Sequence, residues 1–176
     1  MRLLMCVLIG GGMMAAGAIG KTFTHGGVTN PVEAKARRDE VVQVVKDDPA
    51  MLAAYQRGRE TLSGFLAVNE NRPPNSRAFA VKIPVRDGNM VEWFWVNNFV
   101  RDGDQFRGAI NNVPRSVRTV REGQDVRFTR SDIVDWMYMH DGRLKGGFTS
   151  CALLNKDPNV QARTALIRKL GMDCDV

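Results

Sequence analysis

The chain has 176 residues, 25 Lys and Arg against 19 Asp and Glu for a formal net charge of +6, and only 2 His and 3 Cys. Histidines this scarce leave little for an imidazole metal centre or a relay of bases. The basic balance fits nucleic acid, an anionic envelope surface or plain solubility, but the central arginines (Arg101, Arg107, Arg115, Arg118, Arg121, Arg127, Arg130) lack the interleaved aromatics of an RNA-stacking surface, so nucleic acid is not expected as a partner.

The first element, residues 1–18, reads as a signal peptide. Arg2 supplies a positive start, Leu3 to Ile9 an apolar core, and Ala16-Gly17-Ala18 a small-residue cleavage site. A retained anchor is the competing reading, but the apolar stretch is short and glycine-rich for a span of ~20 residues. A lipoprotein use of Cys6 places too few apolar residues ahead of the cysteine. Export to the periplasm is the expectation, with no membrane span after cleavage. Residues 19–39 mix Gly, Thr, Pro and charge and read as a flexible lead. Residues 40–176 then form one domain, of a length that supports a real core.

Within it, Glu40 to Val45 (EVVQVV) fits an edge strand, although a helix is not excluded by its neighbours. Asp48 and Pro49 are a natural N-cap and first helical residue, and the stripe Met51, Leu52, Tyr55, Leu62, Phe65, Leu66 predicts a helix over 49–67. Gly58 falls on that stripe and implies close approach of another backbone. After Pro73-Pro74 come strands at Phe79 to Pro84, Val91 to Val100, Phe106 to Ile110 and Asp125 to Thr129, with hairpin turns at Asp87-Gly88 and in RDGDQ. Ile133 to Leu154 reads as two strands around Asp141-Gly142, placing Cys151 in the last strand. Asp157 and Pro158 open a closing helix with Val160, Ala165, Leu166 and Leu170 on its apolar side and Gly171 as a left-handed cap. The class is α+β: an N-terminal helix, a curved antiparallel sheet or partial barrel of five to seven short strands, and a C-terminal helix.

Chemistry is sparse in this pattern. His25 lies in the lead and His140 beside a hairpin tip, and the chain has no G-x-S-x-G elbow, H-E-x-x-H helix or CxxC pair. No catalytic residue, metal site or cofactor is expected. Glu92, in the long strand, and Asp135, beside Trp136, are the two carboxylates that could do acid–base work if one cleft held both. Each is otherwise a polar strand residue, exposed or paired with arginine. The tryptophans Trp93, Trp95 and Trp136 read mostly as core, though one at a surface groove would anchor a binding partner.

The segments DEVVQVVKDDPAM, FAVKIPVRDGNMVEWFWVNNF, FRGAINNVP, VREGQDVRF, IVDWMYMHDGRLKGGFTSCALL and GMDCD, in this order, resemble the YegJ-like bacterial family, a domain of unknown function numbered 2314. The matching positions include Glu92, Trp95, Gly108, Asn112, Pro114, Gly123, Asp135, Trp136, Gly147, Thr149, Cys151 and Cys174. Trp93 departs from the pattern, which often has a histidine there, and this weakens any Glu-His pairing. The resemblance implies no activity, cofactor or substrate. It adds Trp95, Asn112 and Thr149 to Glu92, Asp135 and Trp136 as a candidate binding surface. The expected function is a non-catalytic binding or accessory protein acting on an unidentified protein or anionic envelope component; the alternative is a hydrolase using Glu92 or Asp135 on an envelope polymer. Signal removal takes Cys6 away and leaves Cys151 and Cys174, an even count that reads as a disulfide in an oxidising compartment.

Overall fold

A computed structural model describes residues 48–174. The expected signal peptide, the lead with His25, and the EVVQVV stretch lie outside the described residues. The first helix, α1, spans Pro49–Asn71, and the Asp48 side chain caps it by accepting from the Met51 N–H at 3.1 Å. Arg72 then turns left-handed, at φ 42°, and Pro73 stops the helix, four residues beyond the expected Ala67.

Six strands follow: β1 (Ser76–Asp87), β2 (Met90–Asp102), β3 (Gln105–Ile110), β4 (Asp125–Phe128), β5 (Asp135–His140) and β6 (Arg143–Gly146). They form one open sheet in the order β4-β3-β2-β1-β5-β6, every neighbouring pair antiparallel. The β1–β2 turn falls at Gly88-Asn89, one residue later than Asp87-Gly88, because Asp87 still pairs with Met90. In β2 a bulge between Asn97 and Val100, with Asn98 at φ 51°, shifts the alternation by one residue. Strict alternation after Val96 would turn Asn98 inward; the bulge instead buries Phe99.

The sheet has two unlike faces. On the first, Val81, Ile83, Phe94, Val96, Phe99, Phe106, Ile110 and Trp136 pack beneath Leu62, Phe65 and Leu66 of α1. On the second, Ala80, Trp95 and Met137 form a smaller cluster with Leu144 against it. Helix α1 passes the start of β5 at Gly58, where an added Cβ would stand 2.5 Å from the Val134 carbonyl oxygen. The glycine on the helical stripe is therefore the point of closest backbone approach.

One expected element is corrected. The run FTSCALL is a helix, α2 (Phe148–Leu154), and Cys151 lies on it, not in a last strand. Gly146 and Gly147, at φ 73° and 74°, turn the chain out of the sheet before α2 begins. The closing helix α3 (Val160–Leu170) starts two residues later than expected, because Asn159 is its N-cap, accepting from the Ala162 N–H at 2.9 Å. Leu166, Ile167 and Leu170 pack inward from α3, whereas Val160 and Ala165 are exposed. Gly171 ends it at φ 58°, in the left-handed position expected of it. Cys151 and Cys174 are joined by a disulfide with Cα atoms 5.2 Å apart, tying α2 to the chain just beyond α3.

Candidate functional site

Strand register assembles the second face. Lys82 of β1 lies opposite both Trp95 of β2 and Asp135 of β5, so the three side chains rise from the same side of the sheet. Helix α2 lays Thr149 over them, and α1 adds Tyr55. The Lys82 ammonium donates to Thr149 Oγ1 at 3.1 Å and sits 5.3 Å from the centre of the Trp95 ring.

Asp135 is the centre of this cluster and is inaccessible to solvent. Its Oδ1 accepts from the N–H groups of Trp136 (2.8 Å) and Phe148 (3.3 Å). Its Oδ2 accepts from the Thr149 N–H (2.8 Å) and hydroxyl (2.6 Å). Burial raises its pKa above the ordinary carboxylate value, against the opposing pull of Thr149, the Lys82 charge and the backbone N–H groups. Burial also raises the Tyr55 phenol, helped by the Asp135 charge and opposed by Arg59.

Glu92 stands elsewhere. It is opposite Val85, on the side of the sheet away from Lys82 and Asp135. Its carboxylate gathers three consecutive backbone N–H groups: Arg115 (3.0 Å to each oxygen), Ser116 (2.9 Å) and Val117 (3.2 Å); the Ser116 hydroxyl adds a contact at 3.0 Å. Asp87 accepts the Arg118 N–H at 2.8 Å. The two carboxylates thus pin the loop after β3 over one end of the core, where Val117 is buried. Burial alone would raise the Glu92 pKa; the hydrogen bonds outweigh it and hold the carboxyl below its usual range.

The remaining residues singled out in the sequence divide between the two faces. Asn112 supports β2, its side-chain oxygen accepting the Trp95 N–H at 2.9 Å. Trp136 is packed on the first face, stacked on Phe65 at 4.9 Å, with its indole N–H donated to Thr61 Oγ1 at 3.0 Å. Trp95, Asp135, Trp136 and Thr149 are all buried. The structure therefore brings Trp95, Asp135 and Thr149 together and separates them from Glu92 and Trp136. His140 contacts Ser76 at 3.0 Å and Asp141 at 3.3 Å beside its hairpin tip. Among the described residues no three His, Cys, Asp or Glu side chains converge as a metal site would need, and no helix is long and apolar enough to cross a membrane.

The sequence passes over Lys82 and shows Tyr55 only as one position of the apolar helical stripe. The only signal for Lys82 was a charge inside an otherwise apolar strand, AVKIP, which is weak. Trp93, read from the sequence with the other tryptophans as mostly core, is instead 37% exposed at the rim of the second face and stacks on Tyr55 with ring centres 6.4 Å apart.

An α+β chain with an open antiparallel sheet, a buried Asp-Thr pair met by a half-buried lysine, and a clipping disulfide is the class that these features define. Residues 48–174 match the model of a family described as "Uncharacterized protein conserved in bacteria (DUF2314)", and the chain belongs to that family. It is 32% identical over 133 residues to Uncharacterized protein YegJ of Escherichia coli (strain K12), covering 74% of this chain and 86% of that protein. It is also 32% identical over 124 residues to Putative ankyrin repeat protein NMB1133/NMB1171 of Neisseria meningitidis serogroup B (strain ATCC BAA-335 / MC58), across 65% of this chain but 49% of that one. No solved structure matches.

Proposed function

We propose that the protein is an exported, non-catalytic binding or accessory protein acting on an envelope partner. The observation that carries this reading is the use made of its two best-placed carboxylates. Glu92 and Asp135 face opposite sides of the sheet, and each of their four oxygens accepts at least one N–H or O–H from the fold itself. A general acid or base needs an oxygen that reaches substrate. Here the oxygens hold a loop and a helix in place. Export is supported by the Cys151–Cys174 disulfide, a bond that persists in oxidising compartments, together with the signal-like first 18 residues.

Two experiments test the reading. A fusion of the N-terminal residues to a reporter active only outside the cytoplasm should give signal, and recovery of the protein with Met1 intact and embedded in membrane would refute export. Glu92→Gln and Asp135→Asn, scored only where the variants remain folded, should leave the cellular phenotype in place. Complete loss in both, in variants that still unfold cooperatively above the assay temperature, would favour the hydrolase alternative instead.

A further inference from the structure

We propose that the ledge formed by Tyr55 and Trp93 is the docking surface for a partner protein that presents an apolar side chain ringed by carboxylates. This rests on the binding reading above and gives it a location and a partner chemistry.

Trp93 lies on β2 opposite Pro84 of β1, and pairing with β3 begins only at Val96, so its strand is held in place on the β1 side before any partner arrives. One face of its ring is backed by Tyr55 at an interplanar angle of 17°. Leu52, one helical turn before Tyr55, is 50% exposed and extends the apolar floor. Pro84 is opposite Trp93 on β1 and continues it on the other side.

Charge frames this floor. Arg59 is one turn beyond Tyr55 on α1, on the same helical face. Arg86 is opposite Val91 and so diagonal to Trp93, a Cα separation of ~7–8 Å on one face of the strand pair. Both arginines are exposed, and among the described residues neither is paired with a carboxylate. The contrast with β2–β4 is direct. Arg101, Arg107 and Arg127 are paired with Glu70, Asp125 and Asp102 at 3.3, 3.0 and 3.1 Å. Self-pairing neutralises arginines over β2–β4 and leaves them open beside the exposed tryptophan.

Trp, Tyr and Arg are the side chains that dominate protein–protein binding energy when they cluster. Carboxylates on the partner would meet Arg59 and Arg86, and its apolar side chain would cover Trp93 and Leu52. A sugar ring would find one free tryptophan face but would leave Leu52 facing hydroxyls. An anionic bilayer is held by clusters of about 4–8 basic residues, more than the two arginines here supply.

The test is photocrosslinking in cells that export the full chain. Trp93→p-benzoylphenylalanine should give a protease-sensitive adduct, and the same replacement at exposed Asn71, at the far end of α1, should give none. Arg59→Glu with Arg86→Glu should cut the Trp93 adduct by at least ~5-fold, since like charges would then face the partner. The crosslinked protein, purified, should bind the disulfide-bonded chain in a salt-sensitive way, and Trp93→Ala should weaken Kd on the order of 30-fold. Matching circular dichroism and thermal midpoints ensure that each variant is folded. A protease-resistant adduct, an adduct to the chain's own preceding residues, or insensitivity to charge reversal would overturn the proposal. Adducts at other exposed positions with none at Trp93 would sink the ledge and spare the binding reading; a scan of the whole surface without adducts would sink both.

Discussion

Replacing Glu92 by Gln tests whether the loop after β3 is held by a charge or merely by shape. The native carboxylate takes the N–H groups of Arg115, Ser116 and Val117 and the Ser116 hydroxyl, all between 2.9 and 3.2 Å. Glutamine keeps one accepting oxygen and turns an NH2 toward N–H donors that cannot accept from it. Hydrogen bonds to a charged group contribute ~1.5–3 kcal/mol net against ~1 for neutral ones, and the site is open enough to water to favour the low end. The expected loss is about 2 kcal/mol at pH 7, or roughly 6–8 °C in thermal midpoint for a domain of this size. The pH dependence has a definite sign. The folded Glu92 pKa is below its ordinary 4.5, so its stabilisation is present above that value and is lost as pH falls through the folded pKa. Asp135 acts oppositely: its raised folded pKa gives stability that is present below 3.8 and lost as pH rises through the folded value. Both proteins contain Asp135, so it drops out of the difference between them. Denaturant titrations of parent and Glu92→Gln should differ fully at pH 7 and converge below pH 4.5. Amide exchange at residues 115–117 should rise in the variant. Equal stability at pH 7, or a gap that widens on acidification, would refute the charge-cradle account.

Other perturbations act on the core and the clip. Reducing the Cys151–Cys174 bond, whose cysteines are 23 residues apart in sequence, should cost ~3 kcal/mol by loop-closure entropy, read as a lower denaturation midpoint in reductant. Asp135→Asn should cost ~1–3 kcal/mol, since it sets an NH2 against the Thr149 N–H and leaves a buried donor unsatisfied; urea unfolding at pH 7 measures this. Gly58→Ala should destabilise by ~1–3 kcal/mol despite alanine's better helix propensity, because its Cβ meets the Val134 carbonyl; the same change at Gly64, with nothing within 4 Å, should be neutral or stabilising by calorimetry.

What was legible in the sequence was what local chemistry decides. Asp48-Pro49 and Gly171 mark helix ends by rules that hold within one turn, and Gly58 on an apolar stripe has one steric use. The segment FTSCALL was misread because its apolar run with Phe and Thr suits a strand locally. The N–H groups of Phe148 and Thr149, however, are satisfied by Asp135, 13 and 14 residues earlier in the chain. No window along the chain contains that partner. Glu92 and Asp135 looked alike as polar residues among aromatics, and only the register of three strands shows that they face opposite ways. Trp93 and Trp95 share one face, yet one is 37% exposed and the other 4%, a difference made by what covers the sheet and not by alternation.

That covering fixes the surroundings of the proposed Tyr55–Trp93 ledge. Helix α2 spans Phe148–Leu154, too short to persist on its own propensity, so its position depends on tertiary ties. Two of these are two residues apart: Thr149 on the buried Asp135 carboxylate, and Cys151 on the disulfide to Cys174. One tie works from beneath, through the sheet, and the other from the side, through the residues that follow α3. A helix held from two directions cannot slide along the second face, so it can neither cover the Tyr55–Trp93 ledge nor drag Lys82 away from Asp135. The Asp135 carboxylate thereby serves as an internal anchor for α2. An oxygen left free for chemistry would weaken the fixture that keeps the exposed tryptophan at a constant place on the surface.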